Sequence, residues 1–177
     1  MLKYMHWITR LDSTLSMTIL KLPQSWRPFF QAVTYAGEPI VMAGLLAVAG
    51  LALSRSGHRT PIWAAGWGIV AMLSINVIKL ALRRSRPDTY TPLLVHSYSF
   101  PSAHSFASAL ALGLIAWMTW QTFGAGWGSV AAGLSVVGIV LVGVSRVYLG
   151  AHFPTDVLGG WTLAALAGII INRLLHW

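Results

Sequence analysis

Five apolar segments of membrane length fill most of this chain, and they constrain its fold more than any other feature. They span roughly residues 38–54, 61–82, 103–123, 128–148 and 155–175. A helix needs about 20 apolar residues to cross a bilayer. Because the bilayer core holds no water to satisfy backbone polar groups, segments of this length predict helices.

Composition supports the same interpretation. Charged residues make up only 9% of the chain, against about 25% in soluble globular proteins, and the mean hydropathy is +0.67. We therefore predict an all-α membrane protein that forms a single domain over residues 1–177. A helical bundle of about five transmembrane helices is expected within residues 28–177. The first helix has an ambiguous start, because PFFQAVTYAG, which precedes Glu38, is itself apolar.

Residues 1–27 contain no apolar run long enough to span a bilayer. Leu11, Leu15, Ile19 and Leu22 recur at helical spacing on one face, and Asp12 or Ser13 is placed to cap the helix start. This pattern predicts an N-terminal interfacial amphipathic helix, with a loosely ordered tail as the alternative. A cleaved signal peptide is disfavoured because the segment is too polar.

Three polar stretches interrupt the apolar segments: KLALRRSRP at 79–87, PSAH at 101–104 and SRVYLGAHFPTD at 145–156. Charged side chains among membrane-length apolar segments usually have a function. Together the stretches hold cations, two histidines, a serine and a paired carboxylate, as phosphate ester hydrolysis by a histidine nucleophile requires. Because consecutive spans alternate in direction, all three stretches are expected at one membrane face.

Spacing alone leaves part of the assignment open. Lys79, Arg83 and Arg86 fall on one side of a helix, so spacing does not determine which of them binds phosphate. Arg83 and Arg84 are also typical of a basic cluster that contacts lipid head groups. Ser102 is placed near a helix start, where free amides and the helix dipole favour an anion.

The order and spacing of these residues resemble the three signature motifs of the type 2 phosphatidic acid phosphatase family. The matching residues are Lys79, Arg86, Pro87, Pro101, Ser102, His104, Ser145, Arg146, His152 and Asp156. The resemblance covers about residues 28–175 and is greatest to the bacterial branch that acts on phosphatidylglycerophosphate or undecaprenyl diphosphate. One position departs from the pattern, because Ala103 stands where the family usually has Gly. Ala is small, so we expect a modest effect on the approach of phosphate.

The resemblance implies a role for each matching side chain. His152 would be the nucleophile that forms a phosphohistidine, His104 the acid that protonates the leaving oxygen, and Asp156 the partner of the His152 ring. For His96 and Tyr148, packing is favoured over a supporting role at the site. Phosphate binding would fall to Lys79, Arg86, Ser102, Ala103 and Arg146.

The implied reaction is hydrolysis of a phosphate monoester or diphosphate on a membrane lipid, of the phosphatidylglycerophosphate, phosphatidate or undecaprenyl diphosphate class. We expect no metal or other cofactor, because a two-metal site needs several carboxylates and only Asp88 and Asp156 lie near the motifs. Two other classes stay open. One is a lipid phosphotransferase that uses the same intermediate, and the other is a non-enzymatic lipid-binding or transport protein.

The formal net charge of +8 favours an anionic lipid as the partner, and no nucleic acid is expected. Five of the 12 Lys and Arg residues lie in the motifs, and most of the others flank apolar segments. Arg55, Arg59 and Arg173 would lie on the opposite face, so a positive-inside count favours cytoplasmic motifs. Resemblance to bacterial family members favours the outer face instead. We predict a bacterial inner membrane protein with an extracytoplasmic active site, and its oligomeric state is left open.

Overall fold

The computed structural model of the chain consists of helices joined by short turns. It describes residues 2–57, 59–87 and 97–175, with side chains from residue 9 onward. No strand occurs in these ranges, which confirms the all-α fold class. The elements are α1 (Leu2–Leu20), a 3-10 turn (Gln24–Trp26), α2 (Arg27–Ala36), α3 (Pro39–Ser54), α4 (Thr60–Leu82), α5 (Ala103–Tyr148) and α6 (Pro154–Leu175).

Within the described ranges, three helices are long and apolar enough to cross a membrane. They are α4 with 23 residues, α5 with 46 and α6 with 22. The segments Gln24–Ala36 and Pro39–Ser54 meet at an angle of 53° and can together form a fourth span. The ambiguous start of the first apolar segment therefore corresponds to a bend at Gly37 and Glu38, after which Pro39 begins α3.

The helix α5 turns back on itself at Gly124. This residue has φ 77° and ψ −173°, a conformation that glycine adopts at little cost. The Ser135 hydroxyl donates to the carbonyl of Leu112 at 2.9 Å, so the arm 125–148 lies against the arm 103–123. These arms match the third and fourth predicted segments, although the predicted FGAGWG loop is reduced to a turn at Gly124. The count of about five transmembrane helices, which treats the arms as two passes, stays a prediction.

The buried core lies among α3, α4, the first arm of α5, and α6. Leu46, Met72, Leu110 and Ala164 are members of this cluster. Small residues let these helices approach closely, as membrane helices commonly do. Large apolar side chains also cover the outward faces of the bundle, for example Val48, Leu73, Leu134 and Ile170. An apolar exterior of this kind suits a lipid environment.

The polar stretches come together at one end of the bundle. The N–H of Ser102, at the start of α5, donates to the carbonyl of Asp156 at 3.0 Å. Arg86, just beyond α4, donates from Nη1 to the carbonyl of Ala151 at 3.0 Å. The end of α4, both ends of α5 and the start of α6 therefore share one face, as the alternating directions of the segments predict.

The N-terminal helix differs from its prediction at both ends. It ends at Leu20, so Leu22 of the predicted apolar face lies beyond it. Because α1 begins at Leu2, Asp12 and Ser13 lie inside the helix and do not cap its start. Asp12 is 1% exposed and contacts α6, whereas Leu11 and Leu15 on the predicted apolar face are each 46% exposed. The location of α1 at the membrane interface stays a prediction.

Candidate active site

A cavity of about 510 Å³ lies at the end of the bundle where the polar stretches meet. Asp156 and Ser102 are completely buried and do not line it. The bend between α2 and α3 contributes the opposite wall, including Thr34, Tyr35 and Glu38. The predicted site residues in the lining are Lys79, Arg86, Ala103, His104, Arg146 and His152.

The two cations of the first motif are held by the segment that precedes α5. Lys79 is 6% exposed and donates from Nζ to the carbonyl of Tyr98 at 2.9 Å. Arg86 donates from Nε to the carbonyl of Ser97 at 2.9 Å and from Nη2 to its hydroxyl at 2.7 Å. With a third bond to Ala151, its guanidinium ties this segment to the turn before α6. Both positive charges are thus fixed at the cavity wall.

A third cation, Arg146, lies two residues before the end of α5 and is 8% exposed. Its Nη1 donates to the hydroxyl of Thr34 at 2.5 Å. Its carbonyl accepts the N–H groups of Ala151 at 3.0 Å and His152 at 3.2 Å. The turn after α5 therefore folds back on Arg146 and brings His152 to the same cavity. Several cations around one cavity favour a phosphate group, which bears up to two negative charges.

The His152 ring is fixed from one side. Its Nδ1 lies 3.5 Å from Oδ2 of Asp156 and 3.5 Å from the hydroxyl of Ser99. The same carboxylate oxygen accepts a hydrogen bond from the Ser99 hydroxyl and another from the Phe153 N–H at 2.9 Å. Since these groups occupy the Nδ1 side, Nε2 is the ring nitrogen left to face the cavity. This is the orientation that a nucleophilic imidazole supported by a carboxylate requires.

Burial lowers the pKa of His152 from 6.5 to about 4, because the charged ring is poorly solvated there. The hydrogen bond to Asp156 raises this pKa, whereas the charges of Arg146 and Arg86 lower it further. The balance leaves the ring neutral at pH 7. A neutral ring that donates its Nδ1 hydrogen to Asp156 has a free lone pair on Nε2.

At the start of α5, the Ser102 hydroxyl is used within the helix, although the resemblance assigns it to phosphate binding. Ser102 caps the helix by accepting the N–H of Ser105 at 3.4 Å, and the Ser105 hydroxyl also donates to it at 3.0 Å. The Ser102 hydroxyl is therefore turned towards the helix, whereas Ala103 lines the cavity. Amides of a first turn have no carbonyl partner within the helix, so those of Ala103 and His104 suit an anion. Close packing by α6 fixes this turn, since a Cβ on Gly160 would lie 2.8 Å from the Ser102 carbonyl oxygen.

The His104 ring lies within hydrogen-bonding distance of the Glu38 carboxylate. The distance from its Nε2 to Oε2 of Glu38 is 2.6 Å, and His104 is 14% exposed while Glu38 is 46% exposed. Because a carboxylate accepts this bond, Nε2 is the ring nitrogen that carries a hydrogen. A leaving oxygen that takes this hydrogen must replace Glu38 at the same nitrogen.

Sequence reasoning missed several side chains that contact the predicted site residues. Among them are Thr34, Glu38, Arg84 and Ser99, and Asp12 reaches the site through Arg84. Two of them carried a signal, because Asp12 and Glu38 belong to a chain with only four acidic residues. The rule that charges among apolar segments have a function applied to them too. The hydroxyl residues carried no signal of this kind.

Two interpretations made from the sequence are wrong. Arg84 does not serve as a head-group anchor, because its guanidinium binds Asp156 and Asp12, each at 2.6 Å. It is also not true that only Asp88 and Asp156 lie near the motifs, since folding brings Asp12 and Glu38 to them. Both errors arise because contacts between distant segments leave no local pattern. The absence of a metal cofactor stays a prediction.

Tyr148 packs its ring 4.4 Å from that of Phe30 and donates to the carbonyl of Pro23 at 2.7 Å, which is the packing role favoured above. Asp88 and His96 lie outside the described residues.

Several curated bacterial proteins are similar to this chain. Phosphatidylglycerophosphatase B of Bacillus subtilis (strain 168) is 32% identical over 168 residues, which cover 91% of this chain and 81% of the relative. Undecaprenyl-diphosphatase BcrC of the same organism is 33% identical over 140 residues, covering 76% and 68%. Decaprenylphosphoryl-5-phosphoribose phosphatase of Mycobacterium tuberculosis (strain H37Rv) is 29% identical over 150 residues, covering 81% and 77%.

The fold is similar to that of a solved structure as well. The crystal structure of the first transmembrane PAP2 type phosphatidylglycerolphosphate phosphatase, from Bacillus subtilis, superposes with a TM-score of 0.83 at 28% identity. The match covers 94% of this chain and 85% of the other, which supports an integral membrane protein. The family model described as PAP2 superfamily matches residues 60–177, the range that holds all three motifs. With sequence, fold and motif geometry in agreement, this chain belongs to the PAP2 superfamily.

Proposed function

We propose that the chain is a lipid phosphatase that hydrolyses a phosphate monoester or diphosphate on a membrane lipid through a phosphohistidine at His152. Family membership and the names of the relatives support lipid phosphate hydrolysis as the class of reaction. The observation that carries the proposal is the His152 ring. Asp156 lies 3.5 Å from its Nδ1, and His152 lines a cavity together with Lys79, Arg86 and Arg146, so Nε2 is the ring nitrogen left to face that cavity.

In the first step, Nε2 of His152 attacks phosphorus. The new N–P bond forms as the P–O bond to the lipid breaks, and the leaving oxygen takes the hydrogen from Nε2 of His104. For this transfer His104 enters the step as the doubly protonated imidazolium, beside the carboxylate of Glu38. Asp156 stabilises the positive charge that the His152 ring acquires. The cations bind the other phosphate oxygens, where negative charge accumulates in the transition state.

In the second step, water attacks the phosphohistidine. His104, now neutral, removes a proton from the water as the new P–O bond forms and the P–N bond breaks. Inorganic phosphate leaves, His152 is again neutral, and His104 has regained its proton. No group outside the chain, the lipid and water is needed for the balance of this cycle.

A lipid substrate suits the surroundings of the cavity. Tyr35 and Pro39 line it beside Glu38, and Tyr35 is 73% exposed. Ile40, the next residue along α3, is 77% exposed and points to the apolar exterior of the bundle. A phosphate can therefore enter the charged cavity while its acyl or prenyl chain stays in the bilayer.

Purified protein assayed with a panel of lipid phosphates tests the proposal. The panel contains phosphatidylglycerophosphate, phosphatidate and undecaprenyl diphosphate, each with excess chelator. We expect release of inorganic phosphate from at least one lipid, and radiolabelled phosphoenzyme after an alkaline quench. His152→Ala is the matched control and should give neither product.

Three results would contradict parts of the proposal. No phosphate release from any lipid would argue against hydrolysis, and activity that returns only with added magnesium would argue against a metal-free mechanism. Transfer of the phosphoryl group to an added acceptor lipid in preference to water would identify a phosphotransferase instead.

We further propose that the cavity faces the outside of the bacterial inner membrane. The absence of cysteine from the chain allows a clean labelling test. Ser85→Cys lies at the cavity end and Ser56→Cys at the opposite end, and both positions are exposed. In intact cells an impermeant thiol reagent should label Ser85→Cys only. Labelling of Ser56→Cys alone would reverse the orientation.

A further inference from the structure

Asp12 is a buried carboxylate on a helix that the family match does not include. It lies in the middle of α1 and is 1% exposed, while the family match begins at residue 60. A buried charge is unfavourable unless it is paired and hydrogen bonded. Both conditions hold for Asp12, and its two partners, Arg84 and Thr155, both adjoin Asp156.

One partner is the first turn of α6. Oδ1 of Asp12 accepts the Thr155 N–H at 2.9 Å, and Oδ2 accepts the Thr155 hydroxyl at 2.7 Å. An acidic group at the N-terminal end of a helix satisfies a free amide and interacts favourably with the helix dipole. Here a separate helix supplies that group. The turn that it fixes carries Asp156, the next residue after Thr155.

The other partner is Arg84, which connects Asp12 to Asp156. Its Nη2 lies 2.6 Å from Oδ2 of Asp12, and its Nη1 lies 2.6 Å from Oδ1 of Asp156. The guanidinium also lies over the Phe153 ring, 4.5 Å from its centroid. By holding Oδ1 of Asp156, Arg84 leaves Oδ2 as the oxygen beside Nδ1 of His152.

We propose that Asp12 and Arg84 are positioning residues, through which α1 sets the orientation of Asp156 and hence of the His152 ring. This inference rests on the proposed function of His152 and Asp156. In this arrangement neither residue touches the substrate. Their loss lowers the rate of the chemical step and leaves phosphate binding in place, because the cavity cations keep their own partners.

The test uses the full-length protein in detergent micelles. Variants Asp12→Asn and Arg84→Gln remove one charge each and approximately keep the side-chain shape, and Arg84→Lys keeps the charge. Matched controls are Thr14→Ala, on an exposed position of α1, and Arg83→Gln, which removes a charge next to Arg84. The probes are short-chain phosphatidate for kcat and KM, and orthovanadate to count intact phosphate sites.

We expect Asp12→Asn and Arg84→Gln to lower kcat per vanadate site by about 10- to 100-fold, as misplacing a reacting group by about 1 Å does. KM and the Kd for vanadate should stay within about twofold. Arg84→Lys should recover part of the rate, and both controls should match the wild type. In an Asp156→Asn background, Asp12→Asn should change kcat by less than about threefold, because its effect passes through Asp156.

Unchanged kcat per vanadate site in Asp12→Asn and in Arg84→Gln would overturn the proposal and leave only a structural link to α1. The proposal would also be overturned if Asp12→Asn lowered kcat as much in the Asp156→Asn background as in the wild type. If Asp12→Asn yields no vanadate sites, the Arg84 variants decide alone. Failure of the proposed function has a different signature, since the wild type would then hydrolyse none of the lipid phosphates in the panel.

Discussion

Two regions of this molecule contribute to one cavity in different ways. The region from residue 60 onward, which the family model matches, supplies the side chains that we assign to chemistry and phosphate binding. Residues 2–57 supply partners for them. Asp12 contacts Arg84, Thr34 contacts Arg146, and Glu38 contacts His104.

The difference indicates a division of roles, in which residues 2–57 add holding contacts to groups that the region from residue 60 onward supplies. Thr34 and Glu38 contact side chains that line the cavity, and Asp12 contacts Arg84, which holds Asp156. A family model of residues 60–177 therefore describes the assigned reacting groups without these N-terminal contacts. If this division is correct, substitutions in the two regions should differ in size and in the kinetic constant they change.

The largest effect is expected for His152→Ala. Loss of a nucleophile typically costs about a millionfold in kcat, so turnover and phosphoenzyme should both fall below detection. Vanadate binding should persist, because Lys79, Arg86 and Arg146 remain in place. Phosphoenzyme formed in this variant, measured with radiolabelled substrate, would show that another residue is the nucleophile.

His104→Ala should cause the next largest loss of kcat. Removing a general acid typically costs about 100- to 10,000-fold, and the loss should depend on how readily the leaving group departs. An activated aryl phosphate needs little protonation, so it should partly restore the rate of His104→Ala when compared with a lipid phosphate. His152→Ala is the control that no substrate should rescue. Equal rescue of both variants would mean that the two roles are wrongly assigned.

Glu38→Gln tests the N-terminal region at its contact with the predicted acid. The change keeps a hydrogen-bond acceptor but removes the negative charge beside Nε2 of His104. Because Glu38 is 46% exposed, we expect a loss of only about tenfold in kcat, near the lower limit for a charge-assisted bond. The aryl phosphate should reduce this loss, as for His104→Ala. A loss as large as that of His104→Ala would break the division between the regions and make Glu38 part of the chemistry.

Thr34→Val should have a smaller effect, confined to binding. It removes the hydroxyl that accepts from Nη1 of Arg146 and keeps the side-chain volume similar. A net hydrogen bond is worth about 0.5–1.5 kcal/mol, so KM should rise by about 2- to 10-fold while kcat stays the same. Steady-state kinetics on short-chain phosphatidate measure both constants, with Thr14→Ala as the control. A fall in kcat without a change in KM would contradict this assignment.

The smallest expected response is that of His152 to mild acid. Its pKa is lowered to about 4, chiefly by burial, so the ring should stay neutral as the pH falls from 8 to 5 and gain a proton only near 4. Histidine-labelled protein in micelles can be titrated by NMR, with His152→Gln to assign the signal. A measured pKa near the ordinary value of 6.5 would contradict the burial of the His152 ring.

The helices and the breaks between them could be predicted from the sequence to different degrees. The apolar segments at 61–82 and 155–175 agree with α4 and α6 within one residue, because long apolar runs are a local signal of a buried or lipid-facing helix. The α2–α3 bend lies where the predicted start of the first segment is ambiguous, and the reversal at Gly124 lies inside the predicted FGAGWG loop, but their geometry was not predicted. Both depend on one or two residues whose backbone angles are set by packing against neighbouring helices.

The sequence by itself determined the class of fold and the motif residues, because apolar length and motif spacing are properties of short stretches of chain. Only the tertiary structure decided what holds those residues. Asp12 contacts Arg84, which is 72 positions away in the sequence, and Thr155, which is 143 positions away. Thr34 contacts Arg146 over a separation of 112 positions. Contacts over such separations leave no periodicity in the sequence. They exist because helix packing brings distant polar side chains to one end of the bundle, where buried charges require partners.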